Sequence, residues 1–153
     1  MQDDDLLSPS LAETTLVPIY SVGALIAAAF FGGGLAVTMV AMINASRLKR
    51  LAKDMIWLLL AAALSIGAVI WAITASEGPE SPRIPSEARI YIRAIGFGLC
   101  GAFFLLHRQV YRTMNLSGRP PPSPYVTVAV AVVASFGINL LVGTLVAING
   151  ELA

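Results

Sequence analysis

Long runs of apolar residues alternate with short polar segments along this chain of 153 residues. The four apolar runs cover about 16–43, 55–76, 90–107 and 125–148. A helix rising about 1.5 Å per residue needs roughly 20 apolar residues to cross a hydrocarbon core. The first, second and fourth runs reach that length without a charged residue. The third run, 90–107, requires the side chains of Arg89 and Arg93 to extend toward the membrane surface. The pattern therefore predicts four transmembrane helices.

The composition agrees with a membrane environment. Hydrophobic residues make up 57% of the chain and charged residues 12%, which is too much apolar surface for a water-soluble domain of this size to bury. We therefore expect an all-α, polytopic membrane protein. Residues 1–153 form a single domain in this prediction, a four-helix transmembrane bundle of two antiparallel hairpins.

The distribution of charge predicts an orientation. Segments 44–54 and 108–124 hold seven of the ten basic residues, and basic loops remain in the cytoplasm. Eight of the nine acidic residues lie in the other polar segments, Asp54 being the exception. We therefore expect these two basic segments to be cytoplasmic and both termini to lie outside the cytoplasm.

Small residues recur at helical spacing within the spans. Helices in lipid associate where small side chains let their backbones approach closely. The residues predicted to make helix-packing or partner contacts are Ala28, Gly32, Gly33, Gly34, Gly98, Asn139 and Gly143. Their simplest role is to hold the four helices together, and a partner surface requires that one small-residue face stay uncovered.

Gly32, Gly33 and Gly34 are adjacent near the middle of the first span. Close helix packing is the favoured explanation of these glycines. The alternative is an unwound helix whose carbonyl groups face a substrate or an ion, as in the broken helices of transporters.

Few polar side chains lie within the predicted spans. Asn139 is expected to form a hydrogen bond between helices, or else to line a pore together with Ser65 and Ser135. Arg89 and Arg93 share one helical face at the outer leaflet, where a lipid phosphate or an acidic partner segment could neutralise them.

The residues that common membrane chemistries require are missing from the pattern. The predicted spans contain no acidic residue, which disfavours proton-coupled transport. His107 and Cys100 are each the sole residue of their type, so neither a histidine-based zinc site nor a disulfide is expected. We predict no enzymatic activity, no metal, no cofactor and no nucleic-acid partner.

One stretch carries a family resemblance. It runs from Ile19-Tyr20-Ser21 through Phe31-Gly32-Gly33-Gly34-Leu35-Ala36 to Asn44 and Arg47-Leu48-Lys49-Arg50. This stretch, about the first third of the chain, resembles a group of small, uncharacterised bacterial four-span membrane proteins. The resemblance implies a bacterial inner-membrane location and transfers no activity.

Two functions remain open from the sequence. The first is a non-catalytic membrane subunit, of accessory, assembly or immunity type, whose small-residue faces dock onto another membrane protein. The second is a homo-oligomeric pore or channel. Both place the protein in the lipid bilayer, with either a different membrane protein or copies of itself as its partner.

Overall fold

The computed structural model describes residues 19–75, 86–116 and 121–151. Within these ranges the chain forms helices and no strands: α1 (Val22–Arg47), α2 (Leu51–Thr74), α3 (Ser86–Leu106), α4 (Arg108–Leu116) and α5 (Tyr125–Glu151). The four longer helices have the length and apolar composition to cross a membrane. The predicted all-α class with four long apolar helices is confirmed. The acidic N-terminal segment, residues 76–85 and Arg119 lie outside the described residues.

The first long helix reverses its direction at Gly33. The backbone there has φ of 68° and ψ of −157°, a conformation that only glycine adopts readily. The amide of Tyr20 donates a hydrogen bond to Asn44 Oδ1 at 2.9 Å, although a straight helix would separate these residues by about 36 Å. α1 is therefore a helical hairpin with antiparallel arms at 22–32 and 34–47.

This hairpin corrects the predicted path of the first span. Its arms are roughly 17 and 21 Å long at about 1.5 Å per residue, so neither covers a hydrocarbon core of about 30 Å. Both ends of α1 lie at one end of the bundle, because Tyr20 contacts Asn44 and Arg47. Residues 19–43 therefore do not form the single straight helix predicted for the first span, because the chain reverses at Gly33.

The remaining long helices surround this hairpin. α1 packs against α2, α3 and α5. More than half of its most apolar stretch is buried, compared with less than a third in each of the other three helices. The arms are rich in alanine, including Ala28, Ala29 and Ala36, which are fully buried. Small side chains on both arms allow two antiparallel helices to lie close together inside a narrow bundle.

Glycines also permit the hairpin tip, which we define as Gly32, Gly33 and Gly34, to contact its neighbours. A β-carbon added to Gly96 of α3 would lie 3.1 Å from the carbonyl carbon of Gly33 and 3.1 Å from the amide nitrogen of Gly34. A β-carbon on Gly32 would lie 3.2 Å from the Cα of Val132 in α5. Any side chain at these positions would meet neighbouring backbone at less than ordinary van der Waals distance, so the backbones would have to shift apart.

The tip lies near the middle of the surrounding helices. Its neighbours Ser65, Gly96 and Ser135 each stand about ten residues or more from the nearer end of their helix. Non-helical backbone at this depth in a membrane must be buried in protein or line a cavity. The three surrounding helices provide that burial.

The bundle has two ends, which we call the near end and the far end. The near end holds Tyr20, the connection 48–50, α4 and the start of α5, since Tyr20 Oη contacts Thr127 and Asn44 contacts Tyr111. The far end holds the last turn of α2 and the first turns of α3, where the rings of Trp71 and Tyr91 meet edge to face at 5.9 Å. α2, α3 and α5 run the length of the bundle.

The predicted loop 108–124 is partly helical. After a break at His107 the chain continues as α4. In this helix the side chain of Tyr111 is buried, whereas those of Arg108 and Arg112 are exposed. An amphipathic helix of this kind suits the boundary between lipid and water.

Candidate functional site

A hydroxyl group from α5 reaches the carbonyl group of Gly32, where the reversal ends the first arm. Ser135 Oγ lies within hydrogen-bond distance of two carbonyl oxygens, that of Gly32 at 3.1 Å and that of Val132 in its own helix at 2.8 Å. Thr38 Oγ1 donates to the carbonyl of Gly34, one turn earlier in the second arm, at 2.8 Å. Ser135 therefore ties the tip to α5.

Asn139 lies beside the tip with one unused acceptor. Its Oδ1 atom is buried and has no hydrogen-bond partner among the described residues. A cavity of about 10 Å³ lies between Asn139, Ser65 and the tip residues Gly32 and Gly34. That volume is about the minimum that one water molecule requires.

The two serines predicted to line a pore lie inside the single chain. Ser65 is 4% exposed and Ser135 is fully buried. Ser65 Oγ donates to the carbonyl of Ala61, one turn earlier in α2, at 2.7 Å. A lumen formed between several chains would not reach either hydroxyl.

At the near end, Asn44 joins the two arms of the hairpin. Its side chain accepts from the Tyr20 amide at 2.9 Å and donates to the Tyr20 carbonyl at 3.4 Å. It also donates to Tyr111 Oη at 3.4 Å, which links the hairpin to α4. Burial raises the pKa of the Tyr111 hydroxyl to about 12, while its hydrogen bond with Asn44 acts in the opposite direction. The hydroxyl therefore stays protonated at physiological pH.

The Tyr20 side chain is held on two sides. Arg47 Nη2 donates to Tyr20 Oη at 2.9 Å, and the Arg47 guanidinium carbon lies 4.4 Å from the centre of the Tyr20 ring. The Tyr20 hydroxyl also contacts Thr127 Oγ1 at the start of α5, 2.5 Å away. This end of the hairpin is thereby fixed against α5.

Asp54 and His107 form a buried pair between α2 and the break after α3. His107 Nε2 lies 2.9 Å from Asp54 Oδ2, and both side chains are under 5% exposed. His107 Nδ1 lies 3.2 Å from the carbonyl of Phe103. Both ring nitrogens face oxygen atoms, so each of them can take part in a hydrogen bond. The pair joins two helices where lipid meets water.

The predicted packing residues divide between the interior and the surface. Ala28 is fully buried in the hairpin, and a β-carbon on Gly143 would lie 3.7 Å from Ile73 of α2. Gly98, by contrast, faces open space, with no atom within 4 Å of an added β-carbon. Arg89 is exposed, and the guanidinium carbon of Arg93 lies 5.4 Å from the centre of the Phe30 ring.

One side of the bundle, formed by α2 and α3, has a surface that the chain itself does not cover. We define this outer face by the groove residues Trp57, Leu60, Leu64, Ala102, Leu105 and Leu106, together with the exposed glycines Gly67, Gly98 and Gly101 of the same two helices. A groove of about 550 Å³ lies on it, lined almost entirely by apolar atoms. Gly67 and Gly101, like Gly98, have no atom within 4 Å of an added β-carbon. Glycines thus serve two separate surfaces, one inside at the tip and one outside.

Sequence reasoning missed the buried polar residues of the near end. Asp54 was placed in a basic segment and His107 was noted only as unable to form a zinc site, whereas the two form a buried pair. Asp54 was the lone acid of a basic segment and His107 the lone histidine of the chain, which is the available signal. Tyr20 and Asn44 lie 24 positions apart and offer no signal until the reversal at Gly33 is known.

No family model, curated protein or solved structure matches this chain. The fold alone therefore defines the class: an all-α membrane protein in which three long helices surround a helical hairpin that enters and leaves at the same end.

Proposed function

We propose that this chain is a non-catalytic integral membrane protein that binds a partner membrane protein through the outer face. The observation that carries this proposal is the open glycine surface of Gly67, Gly98 and Gly101. Helix association in lipid depends on close backbone approach at small residues, since lipid is as apolar as the helices themselves. The bundle's own tightest contacts use other glycines, at the tip and at Gly96.

The groove supports the same partner. It lies between α2 and α3 and its volume of about 550 Å³ can receive several apolar side chains of a neighbouring helix. Trp57 and Leu106 line it at the near end, and the Trp71–Tyr91 ring pair lies beyond it toward the far end. The surface is confined to the depth of the spans, which favours a transmembrane helix as the occupant.

The homo-oligomeric pore has less support. Its predicted polar lining consists of Ser65, Ser135 and Asn139, and the two serines make their hydrogen bonds inside the bundle. The described outer surfaces of the spans are mainly apolar. A ring of copies would therefore offer few polar groups to a hydrated ion.

The substitution Gly98→Leu tests the proposal, and Gly137→Leu is the matched control. Both glycines face open space, so neither substitution should disturb the bundle. We expect wild type, extracted from its native membrane into lipid nanodiscs, to have the mass of a complex with a different membrane protein at a fixed ratio. Gly98→Leu should release the free chain, whereas Gly137→Leu should retain the complex.

Two results would contradict the proposal. A wild-type mass equal to one chain, or to several identical chains, would remove the heterologous partner. Loss of the complex in both variants to the same extent would show that the outer face of α2 and α3 is not its particular contact surface. Unfolding of each purified variant at the wild-type temperature would show that the bundle itself is intact.

We further propose that the near end faces the cytoplasm of a bacterial cell. Exposed Lys49, Lys53, Arg108 and Arg112 at this end support that orientation through the positive-inside rule. In a Cys100→Ala background, Lys49→Cys should react with a membrane-impermeant maleimide only after the cells are opened. Ala75→Cys, at the far end, should react in intact cells. The reverse labelling pattern would invert this orientation.

A further inference from the structure

Arg93 carries a charge on the lipid-facing surface of α3. Its side chain is exposed, and its guanidinium carbon lies 5.4 Å from the centre of the Phe30 ring. Asp54, the acid within the described apolar spans, is paired with His107 at the near end. Arg93 therefore has a cation–π contact but no carboxylate partner among the residues of these spans.

Arg93 lies two residues after Tyr91 of the far-end ring pair, about 10 Å from the first residue of α3. The preceding residue, Ile92, places its Cγ2 atom 3.4 Å from a β-carbon added to Gly33 at the tip. Arg93 is fourteen positions before His107, about 21 Å along the helix from the near end. An arginine that faces lipid within a transmembrane helix is costly and is usually paired.

The guanidinium group is directed toward the tip. Phe30 precedes Gly33 by three residues in the first arm, so its ring lies on the near side of the tip or level with it. The guanidinium group meets this ring and is not extended toward headgroups at the far surface. The guanidinium carbon lies over the Phe30 ring, and the N–H groups of Arg93 remain available to an acceptor.

A carboxylate on a protein helix fits the position of this guanidinium group better than a lipid phosphate does. A lipid phosphate remains in the headgroup layer, roughly 9 Å farther out if the core is about 30 Å thick. A carboxylate on a transmembrane helix can be placed at any depth, and it can accept two parallel hydrogen bonds from arginine. Phe30 and Phe31, 50% and 62% exposed, offer apolar ring surface beside the charge.

We propose that the partner protein contributes a transmembrane helix with an aspartate or glutamate carboxylate at the depth of Arg93, seated against Arg93, Phe30 and Phe31. This inference rests on the proposed function and names the chemistry of the partner. Arg93, Phe30 and Phe31 lie outside the outer face, so this helix makes a second contact of the same partner. A second copy of this chain does not meet the requirement, because Asp54 is the sole acid of its described apolar spans and is bound to His107 at the near end.

A designed peptide tests the carboxylate directly. The probe is a synthetic leucine–alanine transmembrane helix with one glutamate at the depth of Arg93, and its twin has glutamine at that position. Binding to the full chain is measured by fluorescence energy transfer in phosphatidylcholine nanodiscs. We expect wild type to bind the glutamate peptide about tenfold more tightly than the glutamine peptide. Arg93→Gln should lose this preference, and Arg108→Gln, exposed at the near end, should keep it.

Equal binding of the two peptides, or binding of neither, would overturn the carboxylate partner. A phosphatidylglycerol adduct in native mass spectra that Arg93→Gln removes, without any peptide preference, would assign the site to lipid instead. The native complex separates this failure from that of the proposed function. If Gly98→Leu dissociates the complex while Arg93→Gln leaves it intact, only the carboxylate inference fails. If wild type has no heterologous partner, the proposed function fails.

Discussion

Leucine at position 96 is expected to prevent the bundle from closing, whereas leucine at position 98 on the same helix leaves it folded. A β-carbon at residue 96 would lie 3.1 Å from backbone atoms of Gly33 and Gly34, and backbone atoms cannot rotate away. Overpacking in cores costs about 1–3 kcal/mol and sometimes more, and we expect Gly96→Leu to exceed that range because the whole tip must move. Gly98 has no neighbour within 4 Å of an added β-carbon.

Thermal unfolding in a mild detergent, followed by tryptophan fluorescence, measures this difference. Gly96→Ala should fall between wild type and Gly96→Leu, because its single methyl group needs a shift of only a few tenths of an ångström. Wild-type stability in Gly96→Leu would mean that the hairpin tip is not in contact with α3. Gly98→Leu also links the two sets of predictions, since it should unfold like wild type yet lose the partner.

Removal of one member of the Asp54–His107 pair should destabilise the near end strongly. Asp54→Leu leaves a buried imidazole without its carboxylate, and breaking a buried ion pair by removing one partner costs about 3–5 kcal/mol. His107→Leu should have a similar cost, since it leaves a buried carboxylate. The double variant should approach wild-type stability, because apolar residues can replace a complete buried pair at little cost.

A double-mutant cycle measures this coupling. Unfolding free energies of wild type, both single variants and the double variant are compared in the same detergent, with exposed Arg112→Gln as a surface control. Additive costs, with a double variant as unstable as the sum of the singles, would show that the two side chains do not act as a pair. A single-variant cost below about 1 kcal/mol would place the pair in water rather than in the interior.

The near-end pair also illustrates why sequence patterns find spans more easily than buried polar residues. A span is a local property of about 20 consecutive residues, and lipid as a solvent enforces it along the whole segment. The Asp54–His107 pair joins positions 53 apart in the chain, and the Asn44–Tyr111 bond joins positions 67 apart. Only helix packing brings these residues together.

Gly32, Gly33 and Gly34 were recognised from the sequence, but their effect was not. Close packing was the favoured explanation and unwinding the alternative. Both occur: the backbone at Gly33 leaves the helical region, and its neighbours touch Ser65, Gly96 and Ser135. A straight helix and a hairpin bury the same apolar residues, so hydropathy alone does not separate them.

The sequence by itself determined the solvent and the class of fold, because apolar runs of this length are stable only as helices in lipid. It also identified Gly98 and Arg93, which now carry proposals, but not Gly67 or Gly101. The tertiary structure decided that α1 returns to the end it came from, and which glycines are inside and which face lipid. Those outcomes depend on the φ angle of one glycine and on how three other helices surround it, and neither is a property of a local run of residues.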